Sequence, residues 1–122
     1  MKKMLLSLLV LVSFLDAKNT EDTIKDYIQA WQPLGLNLND GILVIPFNQS
    51  RITNKIYLSI LRNGVCLSAS LEKWNGVKQI VITNKYAKQG FVFDGGYVEC
   101  KKAVNLIGNK VDLYLLGRSR TL

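Results

Sequence analysis

The sequence predicts an α+β domain in which three helices pack on a largely antiparallel sheet of about five strands, tied by one disulfide. Three observations lead there. Ile24, Tyr27, Ile28 and Trp31 recur at i, i+3, i+4 and i+7, which is one apolar face of a helix. Val77–Thr83 and Gly90–Phe93 are short β-branched and aromatic runs bounded by turn residues, the pattern of strands. The only two cysteines, Cys66 and Cys100, fall on two further apolar patterns of helical period. Helices and strands that each own one apolar face bury them against one another in layers.

The chain opens with Met1-Lys2-Lys3, then an apolar run from Met4 to Leu15 interrupted by Ser7 and Ser13, then Asp16-Ala17-Lys18. A basic start, a short apolar stretch and a small residue at its exit are the parts of a secretory signal peptide, with cleavage expected near Ala17. The run is shorter than the about 20 apolar residues that span a bilayer. Residues 1–17 are therefore read as a signal peptide and 18–122 as a single compact domain, without a transmembrane segment in the mature chain. The expected location is periplasmic or extracellular, where paired thiols oxidise.

The mature elements follow in order. Asn19 or Thr20 caps the first helix, Glu21 and Asp22 place negative charge at its positive end, and Pro33 stops it. Leu34, Leu36 and Leu38 alternate with Gly35 and Asn37. The turn Asn39-Asp40-Gly41 then joins them to the apolar strand from Ile42, which Pro46 ends. From Thr53 to Trp74 two readings compete. Asn63-Gly64 between apolar runs is a hairpin signal, and Ile56, Leu58 and Ile60 alternate. At 100° steps, however, Ile52, Ile56, Tyr57, Ile60, Leu67, Leu71 and Trp74 share one broad arc, with Lys55, Arg62 and Lys73 opposite. Charges spaced by seven and eleven residues suit a helix period, so a long buried helix is adopted, with Gly64 inside it costing about 1 kcal/mol relative to Ala. After the two strands and the loop Asn84–Gln89, the turn Asp94-Gly95-Gly96 leads into a third helix that Gly108 ends. Val111–Leu116 is read as a last strand and Arg118-Ser119-Arg120 as a basic tail.

Charge and composition narrow the function. The chain has 16 basic and 9 acidic side chains. Without Lys2, Lys3 and Asp16 the mature balance is 14 against 8, or +6, and twelve of those bases lie from Arg51 onward. Such a field attracts acidic proteins, phosphates or anionic surface polymers. Histidine is absent, which removes the usual general base of hydrolases and the commonest zinc ligand. Two cysteines cannot build a four-thiolate site, so no metal or cofactor is expected. Nucleic acid is not an expected partner, because most aromatics fall in apolar stripes rather than along a basic groove.

Cys66 and Cys100 form the one covalent constellation, and a disulfide between the long helix and the third helix is expected. The candidate binding residues are Lys85, Tyr86 and Lys88 in the loop after the first central strand, supported by Arg118 and Arg120 in the tail. Cations on an exposed loop attract an acidic partner at long range, and an aromatic ring adds contact area with little lost freedom. The reading is a small exported binding protein with an acidic protein partner, such as an inhibitor or immunity-type protein. One alternative is an envelope-associated protein resting on anionic polymers. Another is a hydrolase that works without histidine, for which Ser59, Ser68 and Ser70 share the long helix with Lys55 and Lys73.

Overall fold

A computed structural model describes residues 18–122. The expected signal peptide and its cleavage near Ala17 lie outside the described residues. Helix α1 (Thr20–Ile28) starts where the sequence places it: the Asn19 side chain accepts a hydrogen bond from the Asp22 amide at 2.8 Å. It buries Ile24 and Ile28 and tightens into a 3₁₀ turn at Gln29–Trp31. Strands β1 (Asn37–Asn39) and β2 (Ile42–Pro46) form the expected hairpin. Its two-residue turn puts both Asp40 and Gly41 at positive φ, as a twisted tight hairpin requires.

Thr53 caps the long helix α2, accepting from the Ile56 amide, and the helical reading of this region holds. The helix runs as an α segment Asn54–Ile60, a π segment Leu61–Val65 and an α segment Cys66–Leu71. The hairpin signal Asn63-Gly64 thus falls inside the π segment. Gly64 packs closely there: a Cβ on it would lie 3.0 Å from Ile28 of α1 and 3.1 Å from Trp31 of the following 3₁₀ turn, so those side chains would have to shift by a few tenths of an ångström.

Strands β3 (Gln79–Thr83) and β4 (Gly90–Phe93) pair antiparallel, as expected. Helix α3 (Tyr97–Val104) follows, and the chain turns through Gly108 at positive φ. The last apolar run corrects the expectation. It is a fourth helix, α4 (Lys110–Gly117), and the supposed tail contributes the fifth strand, β5 (Ser119–Thr121). A strand at Val111–Leu116 would have put Val111, Leu113 and Leu115 on one face. Instead Val111 and Leu115 are buried at i, i+4 and Leu113 is 64% exposed, which is helical spacing.

The sheet order is β1-β2-β3-β4-β5, and the sheet is mixed rather than wholly antiparallel. Three pairings are antiparallel, and β2 runs parallel to β3 with Val44 beside Val81. The reason is topological: α2 carries the chain back across the sheet, so the strand after it points the same way as the strand before it. Buried side chains of the four helices among the described residues meet Leu43, Ile45, Ile80, Ile82 and Phe93 in one core. Among the described residues this core runs from Ile24 to Leu115.

Cys66 and Cys100 are joined, with their Cα atoms 4.6 Å apart, and the bond staples α2 to α3 as expected. A second tie links α2 to the C-terminal strand. The Tyr57 ring stacks on Phe91 with centroids 4.6 Å apart, and its hydroxyl shares a hydrogen bond with Ser119 Oγ. Burial pushes this phenol up to about 12 from the ordinary 10.0.

Two outcomes follow from these ties. Replacing both cysteines by Ala should lower stability by about 4 kcal/mol at most, from the closure entropy of the loop, as read by urea unfolding. The neutral Tyr57 phenol contributes stability that is complete below pH 10.0 and is lost as pH rises through about 12, because the unfolded chain ionises first. Ultraviolet titration should show one late phenolate that Tyr57→Phe removes. A late phenolate that survives this substitution would contradict the assignment.

Candidate recognition loop

The loop between β3 and β4 is held by its own ends. Asn84 is buried, and its side chain works in three directions. Nδ2 donates to the Ser50 carbonyl at 3.0 Å, while Oδ1 accepts from the amides of Lys88 at 3.0 Å and Gln89 at 3.2 Å. Gln89 repeats the device on the next segment, accepting from the Ile52 amide and donating to the Ile52 carbonyl, each at 2.7 Å. The Lys85 amide donates to the Gln49 carbonyl at 2.9 Å, and Ala87 takes a left-handed conformation that completes the turn. Residues 84–89 are thus fastened to residues 49–52 at several points, a local network whose members orient one another.

What this frame presents is cationic and aromatic. Tyr86 is 60% exposed, and Lys85 Nζ lies 5.2 Å from the centre of its ring, within cation–π range. Lys88 is exposed, and Arg51, also exposed, is brought beside it. Arg51 and Lys88 line one cleft of about 340 Å³ with Thr53, Gln89, Gly90 and Thr121, and no acidic side chain lines it. The ion pairs among the described residues are Lys18–Asp26, Arg62–Asp112 and Arg120–Asp94, so Arg51, Lys85 and Lys88 are in none of them.

Arg51 was not among the residues singled out from sequence. It lies 34 residues before Lys85, and long-range hydrogen bonds from Asn84, Lys85 and Gln89 join the two segments. A buried Asn and a Gln with backbone partners leave no periodic trace.

The structure does not bring the two arginines of the C-terminal segment to this loop. Strand β5 runs antiparallel to β4, with Arg120 beside Val92 and Ser119 beside Phe93. Arg118 therefore lies at the opposite end of β4, the length of that strand away at about 3.3 Å per residue. Both arginines serve Asp94. Arg118 Nε donates to its carbonyl at 2.9 Å, and Arg120 Nε to its carboxylate at 3.2 Å. Gln79 donates to the same carboxylate at 2.7 Å, and this bond, with that from Arg120, holds the Asp94 carboxyl below the usual aspartate range.

Two of the three serines considered for histidine-free hydrolysis have other partners. Ser68 is buried, donating to the Val65 carbonyl and accepting from Trp74 Nε1, and Ser70 donates to the Leu67 carbonyl. Ser59 and Lys55 share a small cleft of about 170 Å³ with Arg62 and Asp112. The turn Asp94-Gly95-Gly96 does not offer an open anion seat either, because the Glu99 carboxylate already accepts from the Gly96 amide at 2.7 Å.

Asn84→Ala should free the loop without touching its exposed side chains. Removing these buried hydrogen bonds should cost about 1–3 kcal/mol of stability. Amide exchange at Lys88 and Gln89 should quicken more than at β3 residues such as Val81. Unchanged exchange at those two amides would show that the loop is held by something else.

The chain matches no family model, and neither a curated protein nor a solved structure matches it.

Proposed function

We propose that this chain is a small exported binding protein whose β3–β4 loop engages an acidic protein partner. The observation that carries the reading is the pinned loop itself: Lys85 lies over the exposed ring of Tyr86 and Lys88 lines a cleft with Arg51, on a frame of side-chain to backbone hydrogen bonds from Asn84 and Gln89. A pre-ordered loop loses little freedom on binding, and positive charge on it accelerates encounter with an acidic surface. Export is supported by the apolar leader pattern and the Cys66–Cys100 bond. No helix among the described residues is long and apolar enough to cross a membrane, which agrees with that reading. Arg118, at the far end of β4, and Arg120, beside Val92, act in this reading through their bonds to Asp94 and add to the long-range field rather than to the contact.

The partner is found by capture on the domain from Lys18 onward, using the envelope extract of its own cell. A saturable acidic protein supports the reading. Salt-sensitive retention without saturation supports attraction to anionic polymers instead. Against the captured partner, Lys85→Ala with Lys88→Ala should slow association and flatten its salt dependence, while Tyr86→Ala should speed dissociation about tenfold for each 1.4 kcal/mol lost. Stopped-flow and surface-binding kinetics read both. Wild-type rates for all three substitutions at low salt would reduce the loop to a turn.

A further inference from the structure

We propose that the outward face of α3 and α4 docks on an anionic lipid bilayer, a contact separate from the β3–β4 loop. Val98, Ile107 and Leu113 are 69%, 85% and 64% exposed. Single exposed apolar side chains are ordinary on protein surfaces, but these three belong to two adjoining helices and the turn between them. On α3, Cys100 and Ala103 face the core, so Val98, Lys101 and Lys102 fall on the opposite side at 100° per residue. On α4, Val111 and Leu115 face inward and Leu113 falls opposite. Lys102 Nζ lies 5.6 Å from the centre of the Tyr114 ring, joining the surfaces of the two helices.

Lys101, Lys102 and Lys110 are exposed on the same two helices, with Lys101 Nζ 5.7 Å from the centre of the Tyr97 ring. The acids of the same two helices are turned to other partners: Glu99 accepts from the Gly96 amide, and Asp112 pairs with Arg62 at 3.2 Å. The face is therefore apolar and positive together. An anionic bilayer complements both properties, because apolar tips enter the acyl boundary while ammonium groups meet headgroup phosphates. A second copy of the chain complements only one, since a face-to-face pair would bring lysines against lysines.

The test uses the protein as its own cell exports it, with vesicles of mixed phosphatidylglycerol and phosphatidylcholine. Co-sedimentation should show binding to these and not to pure phosphatidylcholine. Lys101→Gln, Lys102→Gln and Lys110→Gln together should weaken binding about a hundredfold, at roughly fivefold per lysine. Ile107→Ser with Leu113→Ser should abolish whatever binding persists at high salt. The charge-matched variant Arg51→Gln, Lys85→Gln and Lys88→Gln should stay within about threefold of wild type, because exposed charges beyond roughly 8 Å are screened. Equal weakening by the two triple variants would mean bulk attraction and overturn the proposal. So would absence of wild-type binding to the anionic vesicles, or a concentration-dependent dimer that Leu113→Ser dissolves.

Discussion

Helix α2 has to be covered on every side but one, and the rest of the domain is arranged to do so. Tyr57, Ile60, Leu61, Val65, Cys66 and Ala69 all lose contact with water along its length. One face rests on the sheet, α1 closes against the π segment at Gly64, and α3 is held along the C-terminal half by the disulfide. The same helix decides the topology, because its return across the sheet makes β2 and β3 parallel. A π segment widens the helix locally by one residue per turn. Here it sits where α1 approaches most closely and where Arg62 reaches Asp112 of α4.

That arrangement also explains what the sequence could and could not disclose. Elements whose signals are local were legible: the cap at Asn19, the turn at Asp40-Gly41, the strands around Val81 and Val92, and the charge stripe that distinguished α2 from a hairpin. The cysteines were legible too, since two thiols on two apolar helix faces have few places to go. Val111–Leu116 was misread because six mostly apolar residues satisfy either period. The deciding fact is that Leu113 faces away from the core, which only tertiary packing supplies. The parallel pairing was hidden for a related reason: strand direction follows from the path of the intervening helix, not from the strand residues.

The recognition loop shows the same division. Lys85, Tyr86 and Lys88 announce themselves as polar and aromatic residues between two strands. Their rigidity does not, because it rests on Asn84 and Gln89 reaching backbone atoms of Ser50 and Ile52. Arg51 enters by the same route. The arginines of the last segment illustrate the converse case. A run of bases looked free to meet a partner, yet folding it into an edge strand turns both side chains onto Asp94. Charge read along a chain measures attraction at a distance, whereas contact requires that the charges share an end of the fold.

The staple between α2 and α3 has a consequence for the life of the molecule. Cys66 and Cys100 have no solvent-exposed surface in the folded domain. Thiol–disulfide exchange needs an attacking thiolate to reach a sulfur in line, so a small reductant can act only when the two helices part. The bond must accordingly be closed while the chain is still loose, before α3 is packed down. After that its redox state follows its surroundings only as fast as the two helices open. Recovery of the protein with both thiols free would mark molecules that folded before they met an oxidant.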